Sequence, residues 1–407
     1  MRILFITPDY PPIVRTGIAT YVHSMARALV RAGETVHVLT YETEGGAPDS
    51  VDEGVHVHRR RIRYIPGVRR VLECLPDEWA KEHLPQQAMT RPGRRLGLGF
   101  TSLVEAAQLG AEFDVVEVPD YFCPGWAIAA ARRWPVLTVL HSPLDIEFRY
   151  SNLPNRTYLR AARGTERAAA TLSAGISSPT RIIRDELLDM GWRTVARATH
   201  NPIGIELATH SGEAVNPQSS RILIAGHITP RKGHDILARA VGHLTRSGRR
   251  VEVLCVGSYG LGYWGGRPFR EHLERELLRA GCPWTFVNHT DRRSLQELYG
   301  TAEVVVVPSR FESFSMVALE GLAAGKPVVV SDRCGVAEQI PQEPEGGGIW
   351  VTPTDDDESL AMALDHVLGL VHQDRDAIGT AARSLAASFG NVDALVPGRL
   401  ALYRRLA

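Results

Sequence analysis

The chain has 407 residues, enough for two full cores, and its 46 lysines and arginines balance 46 aspartates and glutamates. Neutrality removes the demand for a polyanionic partner, so nucleic acid is not expected. Five cysteines (Cys74, Cys123, Cys255, Cys282 and Cys334) are odd in number and show no paired spacing, which argues against a disulfide frame or a zinc site.

The first unit reads as strand 3–7, a loop through Pro12 to Thr16 and Gly17, a helix from about Ile18 to Ala32, and strand 36–40. Met1 to Thr7 is too short for a signal core, and no stretch nears the roughly 20 apolar residues of a membrane span, so a cytoplasmic protein is expected. Gly17 opens a helix that follows the first strand, where the absence of a side chain lets a phosphate approach the backbone. Residues 55–95 read poorly. His56 to Arg63 alternates like a strand, and Arg69, Arg70, Arg91, Arg94 and Arg95 add positive charge, first as a solvated face and second as a basic rim for an acidic acceptor or a bilayer surface.

Residues 113–118 form the next strand, with Asp120 and Tyr121 on its exit loop. A helix follows over 126–133. Strand 135–140 ends at His141, the position where α/β enzymes keep side chains for chemistry. Asp120 and Tyr121 share a comparable rim and are acceptor-side candidates. A strand over 173–179 leads to a helix over 181–190, and polar sequence around 199–220 marks a hinge.

The opening format then recurs as strand 221–225, loop Gly226 to Gly233, helix 235–246 and strand 251–256. The loop carries Arg231 and Lys232. Lysine occurs only at Lys81, Lys232 and Lys326, so a lysine beside an arginine at a strand exit points to an anion. Gly257 to Gly262 has glycines in the wrong order for a dinucleotide fingerprint. Strand 285–287 exits at Asn288, His289 and Thr290. Helices are expected over 361–370 and 377–387, with a last helix over 395–406.

The densest stretch is 304–332. Val304 to Val307 is a buried parallel strand ended by Pro308; a helix runs from Met316 until Gly325 stops it, and Val328 to Val330 is the next strand. Glu312 and Glu320 stand eight positions apart and can border one mouth. Between them the amides of Phe314, Ser315, Met316 and Val317 are donors at a helix start, suited to a phosphate. Carboxylates accept from neighbouring hydroxyls with charge-assisted strength, so the stretch offers a phosphate seat and two grips for polyols.

Glu312, seven residues, Glu320, a small-residue helix, then Gly325-Lys326-Pro327-Val328-Val329 and Ser331-Asp332 resembles the signature of the retaining nucleotide-sugar glycosyltransferases of family 4. The resemblance implies an α/β fold of two Rossmann-like domains facing across a cleft, the GT-B architecture. It implies an acceptor domain over 1–200, a donor domain over 201–389, and a last helix at about 390–407 packed back on the first domain. Glu312 would contact the donor sugar and Glu320 the ribose. Arg231 and Lys232 match the family's diphosphate clamp, His141 its histidine reaching the donor sugar, and Gly17 the remaining glycine of a pair facing the diphosphate. Gly257, Asn288 and Thr290 match segments lining the nucleotide, although the usual glycine near Asn288 is missing. Family members often carry glycines where this chain has Ser313 and Ser315; serine is also a good cap.

The expected reaction is glycosyl transfer from a nucleoside-diphosphate sugar to a small-molecule or glycan acceptor, with retention. Neither metal nor cofactor is expected. A glycoside phosphorylase or sugar-nucleotide epimerase on the same architecture is the alternative, and homo-oligomerisation stays open. A nicotinamide oxidoreductase is disfavoured, since no strand is followed by a proper glycine fingerprint with its acidic partner.

Overall fold

The computed structural model describes all residues except 13–15, 42–48, 63–91, 154–156, 208–219, 289–291 and 341–346. Thr290, Cys74, Lys81, Arg63, Arg69, Arg70 and Arg91 therefore lie outside the described residues. The chain divides into two units. One comprises Met1–Asp145, Pro154–Ile203 and Val392–Ala407; the other comprises Ile146–Leu153 and Gly204–Asn391.

The first unit is built on strands β1 (Arg2–Thr7), β2 (Thr35–Tyr41), β3 (Ser50–Asp52), β4 (Val55–Arg60), β5 (Val115–Pro119), β6 (Val136–Val139), β7 (Gly175–Ser178) and β8 (Thr199–His200), in spatial order β3-β4-β2-β1-β5-β6-β7-β8. Every pairing is parallel except β3 with β4. β1 and β5 are buried almost throughout, as expected of parallel strands covered on both faces. Helix Gly17–Arg31 buries Tyr21, Val22, Met25 and Leu29 at helical spacing, and the Thr16 hydroxyl caps it by accepting from the Ala19 amide. Chain order reverses between β1 and β5, where such sheets bind ligands.

Helix Val392–Arg404 belongs to this first unit. A buried network fixes it: the Glu117 carboxylate on β5 accepts from Tyr21 and Tyr403 (both 2.6 Å) and from Arg399 (3.3 Å). Arg399 is fully buried, so its pairing with Glu117 offsets a large desolvation cost.

The second unit carries β9 (Ser220–Ala225), β10 (Val251–Val256), β13 (Trp284–Val287), β14 (Val304–Val307), β15 (Val328–Ser331) and β16 (Ile349–Thr352), all parallel, in order β13-β10-β9-β14-β15-β16; β11 (Tyr263–Trp264) and β12 (Arg267–Pro268) form a separate hairpin. The four valines of β14 are wholly buried or nearly so, each contributing about 1.5–3 kcal/mol of burial. Here order reverses between β9 and β14. Both strand exits at that reversal carry the motifs singled out above.

Part of the basic stretch differs from the expected rim. Arg95 is buried inside helix Pro92–Gln108 and pairs with Glu166, and Arg60 on β4 pairs with Asp49 and Glu105. Burying a guanidinium costs several kcal/mol unless a carboxylate meets it, so these arginines serve internal pairing. Among the described residues no helix is long and apolar enough to cross a membrane.

Candidate active site

In the second unit two loops leave the sheet side by side. The first turns at Pro230–Lys232 and ends in Gly233, whose φ of +69° favours glycine. A Cβ there would lie 2.0 Å from the Pro308 carbonyl oxygen, so only glycine permits the approach. The Arg310 amide then donates to the Arg231 carbonyl (2.7 Å). Arg310 also grips the buried Asp235 carboxylate with two bonds (2.9 and 2.8 Å), pinning the two loops together.

Arg231, Lys232 and Glu312 meet at this junction. Lys232 Nζ donates to Glu312 Oε1, and Arg231 Nη1 stands 3.5 Å from Glu312 Oε2. Ser309 Oγ donates to Glu312 Oε1 (3.2 Å). Burial would raise the Glu312 pKa, but Lys232 first and Arg231 second overcome it and hold the carboxyl below its ordinary range. Burial likewise disfavours a charged Arg231, and the carboxylates of Glu147 and Glu312 reverse that. The result is two basic side chains paired with carboxylates at a strand exit.

Beyond Glu312 the chain zips against the next loop: Glu312 N donates to the Arg333 carbonyl, Gly335 N to the Glu312 carbonyl and Val336 N to the Phe314 carbonyl. Ser315 caps helix Met316–Ala323 by accepting from the Ala318 amide (3.2 Å), with its own φ at +102°. The first-turn amides of Met316 and Val317 have no intrahelical acceptor. Phe314 is buried, edge-on to Phe389, while Ser313, Met316 and Val317 are half-buried. Glu320, a turn further, accepts from the Tyr299 hydroxyl (3.0 Å). Gly257, at the exit of β10, packs so closely that a Cβ would lie 2.1 Å from the Gly226 carbonyl oxygen. Asn288 is exposed at the end of the neighbouring β13.

In the first unit Gly17 opens its helix behind Thr16, whose hydroxyl donates to Asp9 Oδ1 (2.8 Å). His141 is buried, its ring 5.5 Å from that of Tyr21. Burial, helped by Arg399, lowers its pKa to about 3, so the imidazole is neutral at pH 7. Asp120, expected on the acceptor side, instead turns inward. It is 2 % exposed, and its Oδ1 accepts from the amides of His141 (3.1 Å) and Ser142 (3.4 Å). Burial, with Glu166 nearby, pushes its pKa up to about 8. Tyr121 is half-buried and packs against Phe122 at 3.8 Å between ring centroids.

Residues 208–385 match the family described as Glycosyl transferases group 1, and residues 16–202 match the Glycosyl transferase 4-like domain. The chain belongs to the family-4-type glycosyltransferases. The glycosyltransferase is 29% identical over 357 residues to a protein named glycogen synthase from Mycobacterium tuberculosis (strain ATCC 25618 / H37Rv), covering 84% of this chain and 80% of that one. It is 28% identical over 400 residues to a D-inositol 3-phosphate glycosyltransferase of Paenarthrobacter aurescens (strain TC1), covering 92% and 89% respectively. A sucrose-phosphate synthase from Thermosynechococcus elongatus superposes with a TM-score of 0.73 at 21% identity, covering 100% of this chain and 98% of the other, which establishes the GT-B fold.

Several residues of the candidate site escaped sequence reasoning. Arg310 and Asp235 hold the loops together from 75 positions apart, and Tyr299 meets Glu320 from a helix of its own. Arg310 lies directly between Ser309 and Phe311 in the recognised stretch, so only its position flagged it.

Proposed function

We propose that the glycosyltransferase is a retaining enzyme that moves a sugar from a nucleoside-diphosphate sugar to an acceptor nucleophile on a small molecule or glycan. The observation that carries this reading is the Arg231–Lys232–Glu312 cluster at the β9/β14 reversal, beside the capped start of helix Met316–Ala323. Two charged groups and first-turn amides suit a diphosphate, whose growing charge as it leaves is the main electrostatic demand of the reaction. Glu320 would take the ribose hydroxyls and Glu312 the donor sugar. His141, being neutral, offers a hydrogen bond to a sugar hydroxyl and no acidic proton.

Retention follows from front-face substitution. The bond from the anomeric carbon to the diphosphate oxygen breaks, the acceptor bonds on the same face, and the acceptor proton passes to the leaving diphosphate. The names of the glycogen synthase and inositol-phosphate relatives support hydroxyl-bearing acceptors. The test is a panel of sugar nucleotides and polyol acceptors, scoring diphosphate release and the anomeric configuration of the product by NMR. Acceptor-dependent release with a retained centre is expected, and Glu320→Gln should cut donor kcat/KM by about tenfold or more. An inverted product, or release indifferent to acceptor, would sink the reading.

A further inference from the structure

Residues 146–153 are counted with the second unit although the chain on both sides of them belongs to the first. Four contacts fix this segment. Tyr150 stacks on Phe311 at 5.2 Å and its hydroxyl accepts from Arg333 (3.1 Å). The Tyr263 amide donates to the Ser151 carbonyl (3.0 Å), and Asn152 Nδ2 donates to the Tyr263 carbonyl (3.1 Å). On this segment sits Glu147. Its Oε1 accepts from Arg231 Nε (2.7 Å) and its Oε2 from Ser151 Oγ (2.9 Å).

A guanidinium is planar, so two bonds in different directions fix its orientation. Arg231 has both: Nε on Glu147 and Nη1 on the Phe311 carbonyl (3.0 Å). Without the first, the group is held by the second and by the looser pairing of Nη1 with Glu312 Oε2 (3.5 Å), and its plane is free to turn. That rotation would turn the cation away from the diphosphate.

We infer that Glu147 is a positioning residue that holds Arg231 in the plane required for the diphosphate. The inference rests on the donor reading above. Glu147 acts only through Arg231 and needs an acceptor oxygen, which glutamine also supplies.

The test compares Glu147→Ala and Glu147→Gln with the full-length wild type. Calorimetry measures binding of UDP, GDP, ADP and CDP against the corresponding monophosphates, and turnover is followed with the sugar nucleotide that the wild type consumes. Glu147→Ala should lower kcat by about 10²-fold and collapse the preference for diphosphate over monophosphate, while Glu147→Gln stays within about threefold of wild type. Both variants should stay folded at the assay temperature, with Glu147→Ala unfolding at a lower temperature than wild type because it removes a carboxylate from the buried Arg231. Should Glu147→Ala not fold, Ser151→Ala, which releases the other carboxylate oxygen, carries the same test with a loss of about fivefold in kcat. Wild-type kcat and diphosphate preference in Glu147→Ala, or equal damage in Glu147→Gln, overturns the role. A wild type that binds none of the four diphosphates overturns the donor reading instead, so the two failures are separable.

Discussion

Lys232→Ala tests the charge at the heart of the site. Lys232 is one of two cations at the β9/β14 junction, and its side chain is 18% exposed. A unit pair at about 4 Å in an effective dielectric near 20 is worth about 4 kcal/mol. Because Glu312 already neutralises Lys232 before a donor arrives, part of that is spent in exchanging partners, leaving about 3 kcal/mol in the transition state, or about 10²-fold in kcat/KM. Coupled detection of released diphosphate measures it, with diphosphate affinity expected to fall in parallel. A kcat/KM within about threefold of wild type would refute the reasoning. A second readout comes from Glu312. With its pKa depressed in the folded protein, it contributes stability that is present above its unfolded pKa and lost as pH falls through the folded one. Removing Lys232 moves that loss to higher pH, which urea titrations from pH 7 down to pH 4 detect.

Ser315→Gly should stabilise the protein by about 1 kcal/mol in urea denaturation, because relief of a strained positive φ (about 1–3 kcal/mol) exceeds the few tenths lost with the cap and the entropy of the added glycine; a loss of stability would contradict this. Arg399→Met should cost about 3–5 kcal/mol by leaving Glu117 buried without its cation, and the double variant with Glu117→Gln should be less damaged than Arg399→Met alone. Additive losses in denaturation would count against the pairing. His234 is fully buried, neither ring nitrogen has a partner, and burial lowers its pKa to about 3. Its neutral form is the folded one, so its contribution is intact above the unfolded pKa of about 6.5 and falls as pH drops below it, by about 2 kcal/mol at pH 5. His234→Leu should therefore gain about 2 kcal/mol on wild type between pH 7 and pH 5, and equal pH slopes for the two proteins would refute it.

The parallel core strands were legible because β-branched runs such as Val304–Val307 and Val328–Val330 sit between glycine and proline stops, a pattern that depends only on local chemistry. Helix Thr157–Leu172 was not, since its buried side, among the described residues, consists of small alanines and Glu166 with a single large apolar residue, Leu159. Hairpin β11–β12 was also missed, being only two residues on each side. In the candidate site the Glu312–Glu320 spacing and the Arg231-Lys232 pair stood out as local signals. Glu147 lies 84 positions from Arg231, and no local pattern joins them. Asp120 shows a different limit: a strand-exit aspartate reads the same whether it faces solvent or, as here, receives two loop amides from beneath.

These distant pairings answer a difficulty that the local motif leaves open. An anion-binding site needs buried cations before the anion arrives, and an uncompensated buried arginine or lysine costs several kcal/mol. Arg231 and Lys232 meet that cost with Glu147 and Glu312, so the cluster is electrically balanced by itself. On the proposed reading, an incoming diphosphate would replace carboxylate partners more than it creates new charge pairs. Affinity stays moderate, and the stronger interaction is reserved for the charge that develops as the bond to the sugar breaks. On the proposed donor reading, Glu312 is released from Lys232 in the exchange and can accept from sugar hydroxyls once the donor is seated.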